Sequence, residues 1–558
     1  MLRTTNLARL AERDFDVLIV GGGINGAVSA AALSARGVQV GLVEKRDFAS
    51  STSQESSNLV WGGIKYLENG EVPLVWELCR SRNTLMDAYP SSVREVRFFC
   101  AVEPTFRHHP AFMWAGTWVY WLMGRGHTRP PRYLTKGDLA SERAIRAERF
   151  RGGVEYSDAY LMDCDARFVF QFVRSALNMG AAIANYTSLE SASRLDDGRW
   201  QAIVRDEETG ARFPVRTRVL VNAAGPYADR VNDALSQKTT HRHVFSKGIH
   251  MVVPKVTNEE RVLTFFDDTG RMFFVIPMGP CSVIGTTDTR VDSPDTAVTD
   301  EDRDFLLENA NARLARDKPL TRDDVIAERC GVRPLVVEGG EHGGEAEWLN
   351  LSRKHVIEEG DRQLTIFGGK LTDCLNIGEE VCALVEKMGV AVDRSLDPWF
   401  GEPAPEARRA FFKQAKLMRL DELRESATFE LLSTRLWRRY GLRAFAMLEA
   451  IRRDPAQDDV LIEGAQYLRC ELYHAAQSEM VTHLDDFLRR RSKIALVVPH
   501  EQLRTAKGIR EACEILFGER ARERYDAYFD DERRPTPIVG EGALAPAPVA
   551  AAPTSIHP

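Results

Sequence analysis

The sequence predicts an α/β protein in which a domain of buried parallel strands is interleaved with an antiparallel-sheet domain and is followed by a helical C-terminal domain. Three observations predict this fold class. Continuous apolar runs at 15–20, 219–224 and 364–367 each end close to glycine, as strands buried on both faces do. Runs rich in β-forming residues between 243 and 287 are broken by Gly, Pro and Asp, which is typical of an antiparallel sheet. Beyond residue 398 the pattern changes to charged helical segments.

The first two predicted domains are discontinuous, because the two kinds of strand pattern alternate along the chain. A length of 558 residues suits roughly three to five folding units. The predicted ranges are 14–85, 155–235 and 355–395 for the parallel-strand domain, 86–154 and 236–354 for the antiparallel-sheet domain, and 400–530 for the helical domain. Residues 534–558 are rich in Pro and Ala with little to bury, which predicts a disordered tail.

Composition excludes several classes of protein. With 44% hydrophobic and 28% charged residues the chain can bury a large core, and its net charge of −7 offers no overall attraction for nucleic acid. Nine cysteines lie far apart without zinc-type spacing, so we expect reduced, buried thiols and no metal site. The N-terminus lacks the apolar segment of a secretory signal, and the uncharged stretch 110–124 is too short to cross a bilayer. We therefore expect a cytoplasmic protein.

The strongest motif is a βαβ unit at the start of the chain. Gly21, Gly23 and Gly26 follow the first strand and open an Ala-rich helical segment, and a second strand at 38–43 leads to Glu44. Such glycines let backbone N–H groups and a helix N-terminus approach a pyrophosphate, while the acid can accept hydrogen bonds from a ribose without a 2′-phosphate. The unit predicts a Rossmann-like dinucleotide site; the alternative is a simple tight turn with Glu44 in solvent.

The glycine motif alone does not separate FAD from NAD. The hydroxyl-rich segment 48–58 is too polar for a core and is soon followed by Gly62 and Gly63. A loop of this kind can wrap an extended cofactor, which favours FAD.

Eight ordered sequence pieces carry a family resemblance that extends from about Asp16 to Leu496. They are VGGGINGA (20–27), TSQESSNLVWGGIKYLE (52–68), EYSDAYLMDCDAR (155–167), VNAAGPYAD (221–229), KGIHMVVP (247–254), FFVIPMGPCSVIGTTDT (273–289), GVRPL (331–335) and FGGKLT (367–372). In these pieces the chain resembles the FAD-dependent, aerobic, quinone-linked glycerol-3-phosphate dehydrogenases, within the D-amino-acid-oxidase-like flavoproteins. The resemblance implies oxidation of sn-glycerol 3-phosphate to dihydroxyacetone phosphate with FAD, electrons passed to a quinone, and a C-terminal cap or dimerisation domain. It therefore assigns FAD binding to the parallel-strand domain and substrate binding to the antiparallel-sheet domain.

The resemblance also implies which residues bind FAD. These are Gly21, Gly23, Gly26, Glu44, Thr52, Ser53, Ser57, Gly62, Gly63, Ala224, Gly225, Gly369, Leu371 and Thr372.

Three residues are predicted to act in catalysis. His250 is the candidate base, because imidazole titrates near working pH and can accept the proton of the C2 hydroxyl. Arg333 offers a guanidinium fork for phosphate, and Lys370 follows two glycines at the head of a helix, near which negative charge is stabilised. The structural alternatives are a buried strand histidine, a surface ion pair and a solvated lysine.

Lys65, Tyr66 and Arg353 are further candidates for binding the substrate. Ordinary loop positions or a surface ion pair would look similar in the sequence.

The chain departs from the family pattern at several positions. Asn58, Trp61 and Lys65 stand where Lys, His and Arg are common, and Asp373 with Cys374 replaces a Thr-Tyr pair. Loss of cationic or titratable groups beside the cofactor loop can alter the redox potential, the acceptor and the substrate. The alternatives are an oxidase that uses oxygen, a flavin dehydrogenase for another small hydroxy acid or amine, and a non-catalytic flavin-bound interaction protein.

Two segments suggest surface partners. Trp114, Trp118 and Trp121 share one helical face, which suits a lipid interface or packing within the domain or a homodimer. The basic run 489–493 suits anionic lipid or a solvated face. Together they favour a peripheral position on the inner face of the cytoplasmic membrane.

Overall fold

The computed structural model describes residues 2–339, 354–395, 397–423 and 430–530. One of its two large sheets has eight strands and contains the predicted parallel strands. Its members, numbered in chain order, are β1 (Asp14–Val20), β2 (Val40–Val43), β7 (Ala182–Ala184), β8 (Thr187–Arg194), β9 (Trp200–Asp206), β10 (Arg212–Asn222), β17 (Val356–Gly360) and β18 (Gln363–Phe367). The central order is β17-β18-β10-β1-β2-β7, and every neighbouring pair from β18 to β7 is parallel.

The second sheet has ten strands and is antiparallel except where β12 pairs with β4. Its members are β3 (Leu59–Val60), β4 (Val93–Val102), β5 (Arg132–Leu134), β6 (Gly152–Leu161), β11 (His241–Pro254), β12 (Arg261–Phe266), β13 (Met272–Met278), β14 (Cys281–Gly285), β15 (Thr289–Val291) and β16 (Ala327–Glu338). Strand β3 and residues 155–161 of β6 come from ranges that the sequence suggested for the parallel-strand domain. The pairing of β6 with β4 over ten residues moves this boundary to the end of β6.

The helices surround these sheets and form the C-terminal region. They are α1 (Leu2–Glu12), α2 (Ile24–Ala35), α3 (Val72–Ala88), α4 (Pro110–Met123), α5 (Lys136–Ser141), α6 (Asp165–Asn178), α7 (Ala228–Ala234), α8 (Asp300–Arg313), α9 (Cys374–Lys387), α10 (Pro405–Leu417), α11 (Leu432–Tyr440), α12 (Ala444–Arg453), α13 (Arg469–Ser478), α14 (Ile494–Val497), α15 (His500–Thr505), α16 (Ile509–Phe517) and α17 (Ala521–Phe529). From α10 onward the described chain has no strand and two apolar cores of its own. The predicted α/β fold with a helical C-terminal domain is confirmed, while the tail 534–558 lies outside the described residues.

Helix α2 starts directly against β1 because glycine occupies the contact. A Cβ at Gly26 would lie 1.9 Å from the carbonyl oxygen of Gly21. Gly21 itself has φ +109°, and a Cβ there would lie 2.5 Å from the carbonyl oxygen of Ala223 in the chain that follows β10. Any larger residue would push the helix N-terminus away from the carboxyl edge of the sheet.

The basic run near the C-terminus is buried against the first βαβ unit. Arg491 donates two hydrogen bonds of 2.8 Å to the carboxylate of Asp47, and Arg490 donates one of 2.6 Å to the same group. Arg489 forms an ion pair of 3.0 Å with Glu55. The side chains of Arg490 and Arg491 are 5% and 1% exposed. Both sequence interpretations of this run, a lipid-binding patch and a solvated face, are therefore wrong.

The described helices include none that is both long and apolar enough to span a bilayer. The tryptophans of α4 do contact one another: ring centroids are 6.2 Å apart for Trp114 and Trp118, and 5.4 Å apart for Trp118 and Trp121. The indole of Trp121 donates to the carbonyl of Thr128. All nine cysteines are unpaired and eight are buried, which confirms the predicted free thiols.

Candidate active site

An elongated cleft runs from the carboxyl ends of β1, β10 and β18 to the face of the ten-stranded sheet. It consists of a cavity of about 120 Å³ at the glycine motif and a cavity of about 320 Å³ beside β11 and β16. Both cavities are lined by Ile24, Thr52, Ser53, Pro334, Gly368 and Gly369. The cleft thus lies at the sheet edge where α/β proteins bind nucleotides.

The smaller cavity has the features of a dinucleotide cradle. Five of the residues predicted to bind the cofactor line it together with the N-terminus of α2: Gly21, Gly23, Glu44, Ala224 and Gly225. The carboxylate of Glu44 accepts the backbone N–H of Gly22 at 2.6 Å, and burial raises its pKa. Each carboxylate oxygen retains acceptor capacity for a ribose hydroxyl. The cradle that a Cβ would fill, the helix N-terminus and the acid together fit the adenosine diphosphate half of FAD.

His250 lies in the larger cavity with its ring buried. The residue is 3% exposed, and neither ring nitrogen has a hydrogen-bond partner among the described residues. A Cβ at Gly285, in the adjacent strand β14, would lie 2.3 Å from the His250 Cδ2 atom, so glycine makes room for the ring. Burial, and then the charges of Arg329 and Arg333, lower the pKa of His250 well below its ordinary value. At neutral pH the imidazole is uncharged and can accept a proton.

Arg333 presents its guanidinium to the same cavity. Its Nη2 atom donates to the Thr286 hydroxyl at 3.0 Å, and its Nη1 atom lies 3.5 Å from the Asp288 carboxylate. The group passes over the backbone of Gly248 in β11. These partners hold a fork that can bind an anionic substrate group.

Lys370 lines the same cavity from the turn that follows β18. Its Nζ atom lies 4.3 Å from the centroid of the Tyr66 ring, and both residues line the cavity. Lys370 precedes the helical turn Leu371–Asp373 that leads into α9, and Leu371 and Thr372 line the cavity as well.

The turn before Lys370 is held by a histidine that sequence reasoning missed. The backbone N–H of Gly368 donates to Nε2 of His243 at 3.3 Å, and Nδ1 of His243 lies 3.0 Å from the Asp229 carboxylate. Gly369 has φ +104°, and a Cβ there would lie 2.8 Å from the Asn25 side chain. The turn therefore depends on contacts that only the folded chain reveals.

Several predicted residues do not line either cavity. Gly26 serves the packing of α2, and the N–H of Gly62 donates to Asp158 at 3.0 Å. Gly63 has φ +82° and makes a turn. Lys65 is exposed, whereas Thr52, Ser53 and Ser57, which are predicted to bind FAD, do line the cleft. Arg353 lies outside the described residues.

The departure at position 58 is accompanied by a buried cation from another strand. Arg329 in β16, which sequence reasoning missed, donates to the Asn58 Oδ1 atom at 2.8 Å and to the carbonyl of Ser56. A cation is therefore present beside position 58. Arg329 and Arg333 are four residues apart in β16, and this even spacing is the sequence signal that places both side chains on one face of the strand.

Asp373 is paired with a histidine and does not line the larger cavity. Its carboxylate lies 2.5 Å from Nδ1 of His355, whose Nε2 atom lies 2.9 Å from Glu380. These two acids outweigh the effect of burial and raise the pKa of His355 to about 9.

A dinucleotide cradle that opens into a cationic cavity with a buried, uncharged imidazole defines a nucleotide-dependent oxidoreductase. Residues 16–368 match the family model described as FAD dependent oxidoreductase. Because this match covers more than half of the chain, the protein belongs to that family, and the prediction of FAD as its cofactor is confirmed. Residues 417–521 match the C-terminal domain of alpha-glycerophosphate oxidase.

Named relatives share nearly the full length. Glycerol-3-phosphate dehydrogenase 2 of Mycobacterium tuberculosis is 31% identical over 518 residues, which cover 91% of this chain and 86% of that protein. The glycerol-3-phosphate dehydrogenase of Pseudomonas aeruginosa is 31% identical over 90% of this chain and 96% of its own. The solved glycerol-3-phosphate dehydrogenase of Bacillus halodurans, complexed with FAD, is 25% identical with a TM-score of 0.71 and covers 96% of this chain and 98% of that one. The predicted family resemblance is confirmed.

Proposed function

We propose that this protein oxidises sn-glycerol 3-phosphate to dihydroxyacetone phosphate and passes the electrons to a quinone. The observation that carries the proposal is the convergence of His250, Arg333 and Lys370 on one cavity beside the dinucleotide cradle. An uncharged base next to two cations suits a substrate with one reacting hydroxyl and one anionic group. The names of the relatives supply the particular substrate.

Bound FAD supplies the acceptor for the hydride that leaves C2. His250 accepts the proton of the C2 hydroxyl, because its ring is uncharged at neutral pH. Neither ring nitrogen has a hydrogen-bond partner among the described residues, so both are available to a substrate. Arg333 and Lys370 balance the charge of the phosphate and orient the substrate in the cavity. Tyr66 supports Lys370 through its ring face. Arg353, outside the described residues, is proposed as a further phosphate ligand.

The proposal is tested by the absorbance spectrum of the purified flavoprotein without oxygen. Addition of glycerol 3-phosphate is expected to bleach the flavin band, and Arg333→Met is expected to weaken substrate binding roughly tenfold or more, since one charge-assisted contact contributes about 1.5–3 kcal/mol. Arg322→Met is the matched control, because Arg322 is 46% exposed and pairs with Asp304 away from the cavity. An unchanged spectrum of the wild-type protein would contradict the proposed substrate.

An exposed apolar patch on α4 and α3 is the observation that supports quinone as the proposed acceptor. Phe112, Val119 and Leu122 of α4 are 67%, 53% and 63% exposed, and Trp76 of the neighbouring helix α3 is 46% exposed. We propose that this apolar patch rests on the inner face of the cytoplasmic membrane, where a quinone is dissolved.

Co-sedimentation with vesicles of phosphatidylethanolamine and phosphatidylglycerol tests the patch. Phe112→Ser/Leu122→Ser is expected to stay in solution while the wild type sediments. Leu417→Ser, at a 76% exposed leucine of α10, is the control and is expected to sediment like the wild type.

Rapid oxygen consumption with glycerol 3-phosphate, together with no turnover of a soluble quinone, would favour the oxidase alternative.

A further inference from the structure

Arg329 is a buried cation directly across from the proposed base. In the antiparallel pair of β11 and β16, His250 and Arg329 are register partners. Side chains of such partners lie on the same face of a sheet, with Cβ atoms about 4.5–5.5 Å apart. Arg329 is fully buried.

The guanidinium of Arg329 also contacts the loop that lines the larger cavity. It donates to the Ser56 carbonyl and to Asn58 at 2.8 Å, and it lies 3.8 Å from the carboxylate of Asp165. Ser56 and Ser57 both line the cavity. Arg329 therefore connects β16, the strand paired with that of the base, to the loop that carries predicted FAD contacts.

The hydrogen bonding of this arginine is incomplete. Its Nε and Nη2 atoms are buried and have no partner among the described residues. A buried charge with unsatisfied donors is costly for folding. Stability alone therefore explains this residue poorly, and a role at the adjacent site explains it better.

We propose that Arg329 is a positioning residue of the active site, which fixes the segment 56–58 and keeps the base His250 in its proton-accepting form. The inference rests on the proposed function for the identity of the base. Arg329 itself is given no contact with the substrate.

The charges around His250 agree with this role. Burial and the charges of Arg329 and Arg333 all act to keep the ring unprotonated. Lys354, Lys370 and Glu55 also line the cavity, and Glu55 is paired with Arg489 at 3.0 Å. Arg333 lies 3.5 Å from Asp288, which partly offsets its charge. Arg329 has a more distant counter-charge, Asp165 at 3.8 Å.

The test measures the ionisation of His250 directly. Protein labelled with 13C in its histidine rings is titrated by NMR as the FAD-loaded enzyme, and His250→Asn assigns the resonance. In Arg329→Gln the pKa of His250 is expected to rise by about one unit, since a cation at this distance shifts a neighbour by that order. Arg322→Gln is the control at an exposed arginine and is expected to leave the titration unchanged.

Two charge-preserving variants separate position from charge. Arg329→Lys is expected to keep the His250 titration and to weaken FAD binding several-fold, because one ammonium cannot reach Ser56 and Asn58 as a fork does. Asn58→Lys/Arg329→Gln moves the cation to the neighbouring side chain and is expected to restore the titration. Flavin reduction by glycerol 3-phosphate without oxygen should weaken at low pH, and the pH at which it weakens should shift together with the His250 pKa in each variant.

An unchanged His250 titration in Arg329→Gln would overturn the inference, and so would normal FAD affinity in Arg329→Lys. Should Arg329→Gln fail to fold, Asp165→Asn/Arg329→Gln removes the buried ion pair as a whole, and the same upward shift is expected because Arg329 and Arg333 are the charges that act on His250. Failure of the wild-type flavin to bleach with glycerol 3-phosphate would instead refute the proposed function, and the NMR titration would still decide the role of Arg329.

Discussion

The guanidinium of Arg333 in β16 fills the space that a side chain on Gly248 in β11 would need: a Cβ on Gly248 would lie 2.3 Å from the Nη2 atom of Arg333. Gly248→Ala must therefore displace the guanidinium from its place over the strand. We expect correct folding and FAD content but at least a roughly tenfold loss in the affinity for glycerol 3-phosphate, because a charge-assisted contact is misplaced. Titration of the flavin spectrum with glycerol 3-phosphate in the absence of oxygen measures this affinity. Gly137→Ala, in the exposed helix α5, is the control, and equal affinity in the two variants would contradict the prediction.

Gly26→Ala should abolish FAD binding. The added methyl group would lie 1.9 Å from the Gly21 carbonyl oxygen, a backbone atom that cannot move without displacing the N-terminus of α2. The purified variant is expected to be colourless and to gain no flavin on incubation with FAD, as absorbance and gel filtration would record. A yellow Gly26→Ala protein of normal stability would show that the cradle tolerates this shift.

Stability should fall in alkaline solution through His355. Its pKa in the folded protein is raised to about 9 by Asp373 and Glu380, so its contribution is complete below its ordinary pKa near 6.5 and is lost as pH rises through about 9. The upper limit is roughly 3 kcal/mol, reduced by solvent screening at Glu380, which is 47% exposed. The melting temperature of wild type should exceed that of His355→Gln at pH 7, and this difference should shrink by pH 10. A difference that stays constant with pH would contradict this.

Asp47→Asn should destabilise the protein by about 3–5 kcal/mol, because it leaves Arg490 and Arg491 buried without their shared carboxylate. Thermal unfolding followed by flavin fluorescence measures the loss. Asp361→Asn is the matched control, since Asp361 is 90% exposed in its pair with Arg194 and is expected to have little effect. Equal melting temperatures for the two variants would exclude a stabilising role for Asp47.

The sequence predicted the parts of the fold that are set by neighbours in the chain. The βαβ unit with Gly21 and Glu44 is of this kind, because strand, turn and helix are consecutive. His250 and Arg333 could be located only through the family resemblance, since a single histidine or arginine in a strand carries no local signal of its role.

Long-range pairing explains what sequence reasoning missed. The counter-charges of the basic run are Asp47 and Glu55, near the opposite end of the chain, so local composition suggested a surface. Arg329 lies beside His250 only because β16 pairs with β11 in the folded chain. Lys65 had a motif in its favour, yet the helical turn at Ile64–Asn69 leaves it exposed.

The contact between Asp47 and Arg491 joins residues that are 444 positions apart. A ribosome adds about 5–20 residues per second, so the nascent nucleotide-binding unit waits roughly 20–90 s before its buried aspartate meets this arginine. During synthesis the first βαβ segment thus lacks the partners of its buried acid, and completion of the cofactor domain awaits synthesis of the C-terminal helical domain.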